Sequence, residues 1–208
     1  MEQSTPNDLL DTLPWTKTLG RHYAGSTPGC TINIKAPSDA NLYSDYTELE
    51  EADSLSLMNL IGQGGTADVF RAKQGSLERN IAIKVLRGDC SAEAQSHFSA
   101  EAKITGGLDH PNIVPIHDLL TLPSGAKALF MKHVDGETWL KRLKSSRASG
   151  CFDLARELAV LCDICDAVAF AHSRGVIHLD IKPANVMVGE YGQTLLMDWG
   201  CAAIVDEA

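Results

Sequence analysis

The sequence predicts an α+β chain: an antiparallel sheet with one helix comes first, then a more helical part that ends in a hairpin. Three observations carry this. Apolar alternation on either side of a glycine-rich turn, at residues 55–61 and 69–72, and again at 81–86, gives three consecutive strands. A helical pattern over 91–105 and a longer one over 153–174 supply the helices. From Val176 to Gly200 the chain reads apolar, polar, apolar, turn, apolar, which is a hairpin with a polar loop at its start.

Composition bounds the function. A chain of 208 residues can build one large domain or two small lobes, and 44% apolar with 22% charged residues is ordinary for a globular protein. No run approaches the ~18 apolar residues of a membrane span, so no membrane segment is expected within the chain. The start, MEQSTPNDLL, has neither a basic stretch nor an apolar one, so a signal peptide is not expected. A net charge of −9 argues against nucleic acid as a partner. Six cysteines are present, and Cys162 and Cys165 form a C-x-x-C with no second pair after it. Zinc needs about four ligands, so these two are expected to be buried helix residues, with a redox or metal module as a weak rival. Reduced thiols in the cytoplasm are the expected setting.

In chain order, residues 1–53 hold Pro6, Pro14, Pro28 and Pro37 among many polar residues, with 9 acidic and 3 basic side chains up to residue 60. A flexible, solvated extension is expected there, with Trp15 and Tyr23 available to dock or to bind a partner. The first strand, with Leu55, Leu57, Leu60 and Ile61, runs into Gly62-Gln63-Gly64-Gly65-Thr66-Ala67, and Val69 to Ala72 return. A Rossmann turn would lead into a helix, and a Walker loop would end in Gly-Lys-Ser/Thr. Here the glycines join two strands.

Lys84 lies between Ile83 and Val85 on the third strand, so alternation sends it to the face opposite theirs. A lysine there calls for an anionic partner. In the 91–105 helix, Phe98, Glu101 and Thr105 share one face, which makes Glu101 the candidate; Glu93 lies off that stripe. Gly106-Gly107 close the helix, and Ala128 to Met131 read as strand. Lys132 to Gly136 form a connector and Glu137 to Lys144 a short helix. In the long helix, Leu154, Leu158, Leu161, Cys165, Val168 and His172 step by four and three as its apolar face, and Gly175 can cap it. Val176-Ile177 read as a short buried run, 178–185 as the polar loop, 186–188 and 194–197 as the hairpin strands.

The hairpin brings Asp180, Lys182, Asn185 and Asp198 toward one small volume. Two carboxylates, an ammonium and an amide suit a metal-bound phosphate beside a hydroxyl awaiting deprotonation. The string H-x-D-x-K-x-x-N from His178 to Asn185, followed by D-x-G at Asp198–Gly200, resembles the catalytic and metal-binding loops of protein kinases. The stretches HSRGVIH, KPANVMVGEYG and MDWG look most like bacterial-type Ser/Thr kinases.

The resemblance implies a two-lobed kinase fold over 54–208, with a small lobe at 54–131, a hinge at 132–136 and a partial large lobe at 137–208. It implies ATP and Mg²⁺ as cofactors and protein Ser/Thr hydroxyls as acceptors. Asp180 would take the acceptor's proton and Lys182 would stabilise the transferring phosphoryl group. Asn185 and Asp198 would hold the metal, and Lys84, positioned by Glu101, would hold the ATP phosphates. Gly62, Gly64 and Gly65 would cover the phosphates. Ile61, Val69, Ala82, Val134 and Met187 would wall the adenine, with Met131 as gatekeeper and the backbone of Lys132 to Val134 as its hydrogen-bonding edge. His178 is structural in this family.

The sequence departs from the family at four places. Ala67 replaces a loop glycine, Leu179 replaces the arginine before the catalytic aspartate, and Trp199 replaces the phenylalanine of D-x-G. That arginine serves switching by a phosphorylated activation loop, a mode Leu179 puts in doubt. Family members also continue well past the residue matching Gly200. The chain is therefore expected to be the front portion of a longer kinase, with exposed apolar surface where its large lobe is incomplete. The alternative is an ATP-binding regulatory module without phosphotransfer.

Overall fold

Alternation builds the first sheet. The computed structural model describes residues 34–35, 55–87, 90–122 and 125–205. Strands β2 (Leu55–Gln63), β3 (Ala67–Gln74) and β4 (Arg79–Leu86) run antiparallel in turn. With β1 (Ile34–Lys35), which pairs parallel with β2, and with β5 (Ile116–Thr121) and β6 (Lys127–Lys132), they form a six-stranded sheet in the order β1-β2-β3-β4-β6-β5. One face carries Leu55, Leu57, Phe70, Ala72, Ile81, Ile83, Val85, Ala128 and Phe130 into a common core. Lys84 is on the other face, as its place between Ile83 and Val85 requires. The rest of 1–53, on which the flexible-extension reading and Trp15 and Tyr23 fall, lies outside the described residues.

The chain divides into two compact units, Met1–Ala100 with Asp118–Phe130, and Glu101–His117 with Met131–Ala208. Helix α1 (Ala92–Gly106) contributes buried Phe98 to the first and buried Ala102, Ile104 and Thr105 to the second.

In the second unit, α2 (Trp139–Ser149) starts at Thr138, whose hydroxyl accepts the Lys141 N–H, and ends at Gly150 in the left-handed conformation. Two expectations are corrected here. Glu137 and Thr138 are not helical: with Gly136 they form β7 (Gly136–Thr138), paired antiparallel with β9 (Val186–Gly189). A pairing to a strand fifty residues away overrides the local helix preference. It also demands glycine at 136, where a Cβ would come within 2.2 Å of the Val188 carbonyl oxygen.

The second correction concerns α3 (Leu154–Ser173), capped by Asp153, whose carboxylate accepts the Arg156 N–H. Its buried stripe is Glu157, Val160, Ile164, Ala167 and Ala171. The expected stripe faces outward: Leu154, Leu158 and Leu161 are 61%, 49% and 45% exposed, and Cys162 and Cys165 are exposed rather than buried. Both stripes have helical spacing, so period alone does not choose between them. The small side chains Ala167 and Ala171 let the backbone approach β8 (Val176–Ile177) and β10 (Thr194–Leu196) closely.

The polar loop is framed by two small sheets. β7, β9 and β10 form one, with Val186 opposite Leu196 and Val188 opposite Thr194. β8 pairs with β11 (Ala203–Ile204). Val176 is buried, but Ile177 is exposed, against the expectation of a wholly buried run. A two-residue strand with one covered face buries only alternate side chains.

Candidate functional site

Each end of the polar loop is tied down before its functional groups are placed. Val186 and Val188 anchor the exit in the hairpin core, and Val176 anchors the start. Between them the Asp180 N–H donates to His178 Nδ1 at 3.2 Å, which makes that nitrogen the acceptor. His178 Nε2 therefore carries the hydrogen and donates it to the Met197 carbonyl at 3.0 Å. The imidazole is 1% exposed and packs 4.5 Å from the Trp199 ring, so the larger ring of the D-W-G motif is fully buried against it. His178 thus fastens the 178–185 loop to the 197–199 segment, the structural role the resemblance implied.

The 3-10 turn Pro183–Asn185 then aims an amide back into the loop. Asn185 Nδ2 donates to the Asp180 carbonyl at 3.0 Å and to Asp180 Oδ2 at 2.9 Å. Lys182 Nζ donates to the same Oδ2 at 2.7 Å. Oδ1 of Asp180 receives neither bond and is the oxygen left to accept from an incoming group. The Lys182 bond, and after it the Asn185 bond, hold the Asp180 carboxyl below the usual carboxylate range. The Asp180 bond likewise raises the Lys182 ammonium above the usual lysine range, with Asp198 adding to the effect.

A direct expectation follows. Lys182→Met removes the leading cause, so the Asp180 titration midpoint should move upward; carbon-detected NMR of the side-chain carboxyl reads this. An unmoved midpoint would leave Asn185 alone as the controlling partner.

The second carboxylate follows closely. Met197 N–H donates to the Asn185 carbonyl at 2.8 Å, which sets Asp198 beside the loop. A Cβ at Gly200 would lie 3.3 Å from Glu101 Oε2 and 3.4 Å from Asp198 Oδ1, so both carboxylates border that glycine. Leu179 and Asp198 adopt φ of 62° and 58°, a left-handed conformation uncommon outside glycine and more so for leucine than for aspartate. Such strain concentrates at functional sites, and it flanks the Asp180 loop on both sides.

The remaining residues singled out in the second unit are arranged as follows. Met131 is buried; Lys132 N–H donates to the Pro115 carbonyl at 3.0 Å; Val134 and Met187 are half-buried. In the first unit, Ile61 is exposed, Val69 half-buried and Ala82 buried. Lys84 Nζ lies 5.8 Å over the Phe98 ring. The glycine turn is closed by Gly64 N–H to the Ala67 carbonyl at 2.9 Å, and a Cβ on Gly64 would approach that oxygen to 3.0 Å. Gly62 is half-buried and Gly65 exposed. Ala67 is buried within β3 and has no positive φ, so alanine fits where the family has glycine. Lys84 belongs to the first unit and Glu101 to the second.

Comparison with known proteins gives the family. A profile described as protein kinase domain matches residues 55–208. The chain belongs to the protein kinase family. This kinase segment is 36% identical over 171 residues to the serine/threonine-protein kinase PknD of Protochlamydia amoebophila, a match covering 76% of this chain and 17% of that protein. It is 33% identical over 156 residues to PknD of Chlamydia muridarum, covering 70% and 17%. With the serine/threonine-protein kinase PknB of Mycobacterium tuberculosis it shares 35% identity over 161 residues, covering 74% and 25%. The chain therefore spans about a sixth to a quarter of the length of these relatives.

Membership of the kinase family implies ATP and a divalent metal ion. The donor set fits such a metal: with Nδ2 of Asn185 held by Asp180, its Oδ1 is the free end of the amide, and Asp198 supplies a carboxylate. Both are the hard oxygen ligands that Mg²⁺ prefers.

Two parts of the kinase segment escaped sequence reasoning. One is the ion pair between Asp68 and Arg87, at 2.9 Å beside the glycine turn. The other is Glu157, buried in α3, which accepts the Trp139 indole N–H and lies 3.1 Å from Arg142. Opposite charges at 68 and 87 flank two consecutive strands of the expected antiparallel sheet, and that was the available signal for the first.

Proposed function

We propose that the complete polypeptide carrying this chain is a protein serine/threonine kinase, with residues 54–208 forming the small lobe, the connector and the first part of the large lobe. What supports this reading above all is Asp180: one carboxylate oxygen is held by Lys182 and Asn185, and the other is left to accept. The acceptor hydroxyl would donate to Asp180 Oδ1, which fixes the direction of its oxygen toward the γ-phosphorus. As the new oxygen–phosphorus bond forms, the bond to the β,γ-bridging oxygen breaks and ADP leaves. The hydroxyl proton passes to Asp180.

A carboxyl held below its usual range is a weak base, so Asp180 acts first by orientation and takes the proton late. Lys182, held protonated by the same pair, stabilises the equatorial oxygens of the transferring group. When bound, Mg²⁺ neutralises charge on the phosphates; Asn185 Oδ1 and Asp198 are the groups that would hold it. Lys84 is assigned to the ATP phosphates, and Glu101 keeps the role the resemblance gives it. Gly62, Gly64 and Gly65 are assigned to the phosphate cover, and Ile61, Val69, Ala82, Met131, Val134 and Met187 to the adenine walls. The carbonyl of Lys132 and the N–H of Val134 are assigned to the adenine edge. The lysine two residues after Asp180 favours Ser/Thr acceptors. The free thiols at Cys90, Cys151, Cys162, Cys165 and Cys201 suit a reducing compartment, the cytoplasm; among the described residues no helix is long and apolar enough to cross a membrane.

The test uses the complete polypeptide with γ-labelled ATP, Mg²⁺ and casein as a generic acceptor. Lys84→Met and Asp198→Asn should each abolish label transfer. Transfer at the unmodified rate in either variant would overturn the assignment.

A further inference from the structure

The glycine turn is exposed from Gly64 to Thr66, and a Cβ placed on Gly65 would meet no atom within 4 Å. Packing therefore does not fix this turn; its own Gly64–Ala67 bond and polar bonds from one short segment do. Arg87 grips Asp68 with two nitrogens: Nη2 donates to Oδ1 at 2.9 Å and Nε to Oδ2 at 3.2 Å. Its Nη1 reaches the Gly65 carbonyl at 3.3 Å. Its backbone N–H donates to the Thr66 carbonyl at 3.0 Å, and Cys90 Sγ donates to the same oxygen at 3.4 Å. The pair is partly buried, with the Asp68 side chain 16% exposed and that of Arg87 33%. A two-pronged arginine–carboxylate contact is both stronger and more directional than a single ion pair.

Three of these bonds hold backbone carbonyls, and the other two anchor Arg87 on Asp68. A trans peptide points its N–H opposite to its C=O. Holding the Gly65 and Thr66 carbonyls toward the end of β4 therefore directs the N–H groups of Thr66 and Ala67 away from it. Successive N–H groups presented by a glycine turn are the usual cradle for phosphate oxygens.

We propose that Asp68 and Arg87 are positioning residues for the nucleotide: together they brace the glycine turn with its carbonyls turned back and its N–H groups presented to the ATP phosphates. The proposal rests on the kinase reading, because it presumes that ATP is the ligand. Arg87 does not touch the nucleotide in this account. It acts through the turn, so its loss raises the KM for ATP and leaves the chemical step nearly unchanged.

The experiment measures KM for ATP and kcat in the complete polypeptide for Asp68→Asn, Arg87→Gln and the exchanged pair Asp68→Arg/Arg87→Asp. Each single variant should raise KM about tenfold, with kcat within about twofold, as expected for losing roughly one charged hydrogen-bonded contact. The exchanged pair restores the ion pair but not the donor to the Gly65 carbonyl, so its KM should return only part of the way toward that of the unmodified protein, a recovery that general damage to the sheet would not give. If Arg87→Gln does not fold, Arg87→Lys keeps the charge without the fork and should give an intermediate KM. An unchanged KM in the single variants, or an exchanged pair no better than they are, overturns the brace. Calorimetric titration of the unmodified protein with Mg²⁺ and ATP separates the two readings. Binding there with unaffected variants removes the brace alone; no binding removes the kinase reading and the brace with it.

Discussion

Asp180→Asn should lower kcat for phosphoryl transfer by about two to four orders of magnitude, with the KM for ATP little changed. The substitution keeps the shape of the side chain and changes its polarity at one point. Lys182 and the Asn185 amide both donate toward the present Oδ2. The new amide would turn its only oxygen to these two donors and its NH₂ toward the acceptor hydroxyl. A donor would then stand where an acceptor is required, and the hydroxyl would lose both its orientation and its proton sink. Single-turnover measurement with the complete polypeptide isolates the chemical step. A kcat within tenfold of the unmodified value would mean that Asp180 does not handle the proton.

The second large effect concerns stability. Glu157→Ala should destabilise the second unit by about 3–5 kcal/mol, the usual result of stripping one partner from a buried ion pair. The Arg142 and Glu157 side chains are 12% and 7% exposed, and their 3.1 Å contact is an ion pair without hydrogen-bond alignment. The Trp139 indole N–H donates to the other carboxylate oxygen. Alanine would leave a guanidinium and an indole N–H under cover with nothing to accept from them, and would separate α2 from α3. Glu157→Gln retains an acceptor for Trp139 and should cost less, about 1–3 kcal/mol. Urea unfolding of the 208-residue chain, followed by the fluorescence of its three tryptophans, reads both. A midpoint for Glu157→Ala equal to that of the unmodified chain would show that the pair contributes no net stability.

Much of the site was legible because it is local. The residues from His178 to Gly200 place their groups by short-range geometry: a turn at 183–185, a hairpin in register from Val186 to Leu196, and a histidine joining two ends only nineteen residues apart. The first sheet was legible for a similar reason. Alternation in 55–57, 70–72 and 81–85 names the buried face without reference to any partner, and Lys84 falls opposite it. What stayed hidden depends on contacts between distant segments. β7 exists because Thr138 faces Met187 across the sheet, and nothing near residue 138 announces that.

The face of α3 was misread because apolar residues line both sides of the helix. The eye follows leucine, whereas close packing against β8 and β10 selects Ala167 and Ala171. Glu157 opens that buried stripe, and a glutamate at the head of an apolar row is easily taken for the solvent side. The left-handed backbone at Leu179 and Asp198 also has little sequence signal. Glycine or asparagine would have marked it, and aspartate marks it weakly; leucine conceals it. The Asp68–Arg87 brace shows the same limit, since side chains nineteen positions apart meet only when the register of β3 on β4 is known.

The most direct test of the account is phosphoamino-acid analysis of casein after incubation with the complete polypeptide, γ-labelled ATP and Mg²⁺, with and without a chelator. Label on phosphoserine and phosphothreonine, lost on chelation, is the predicted result. Label on phosphotyrosine, or no transfer from a folded protein that binds ATP, would contradict the assignment of Asp180, Lys182, Asn185 and Asp198 as a serine/threonine phosphotransfer site.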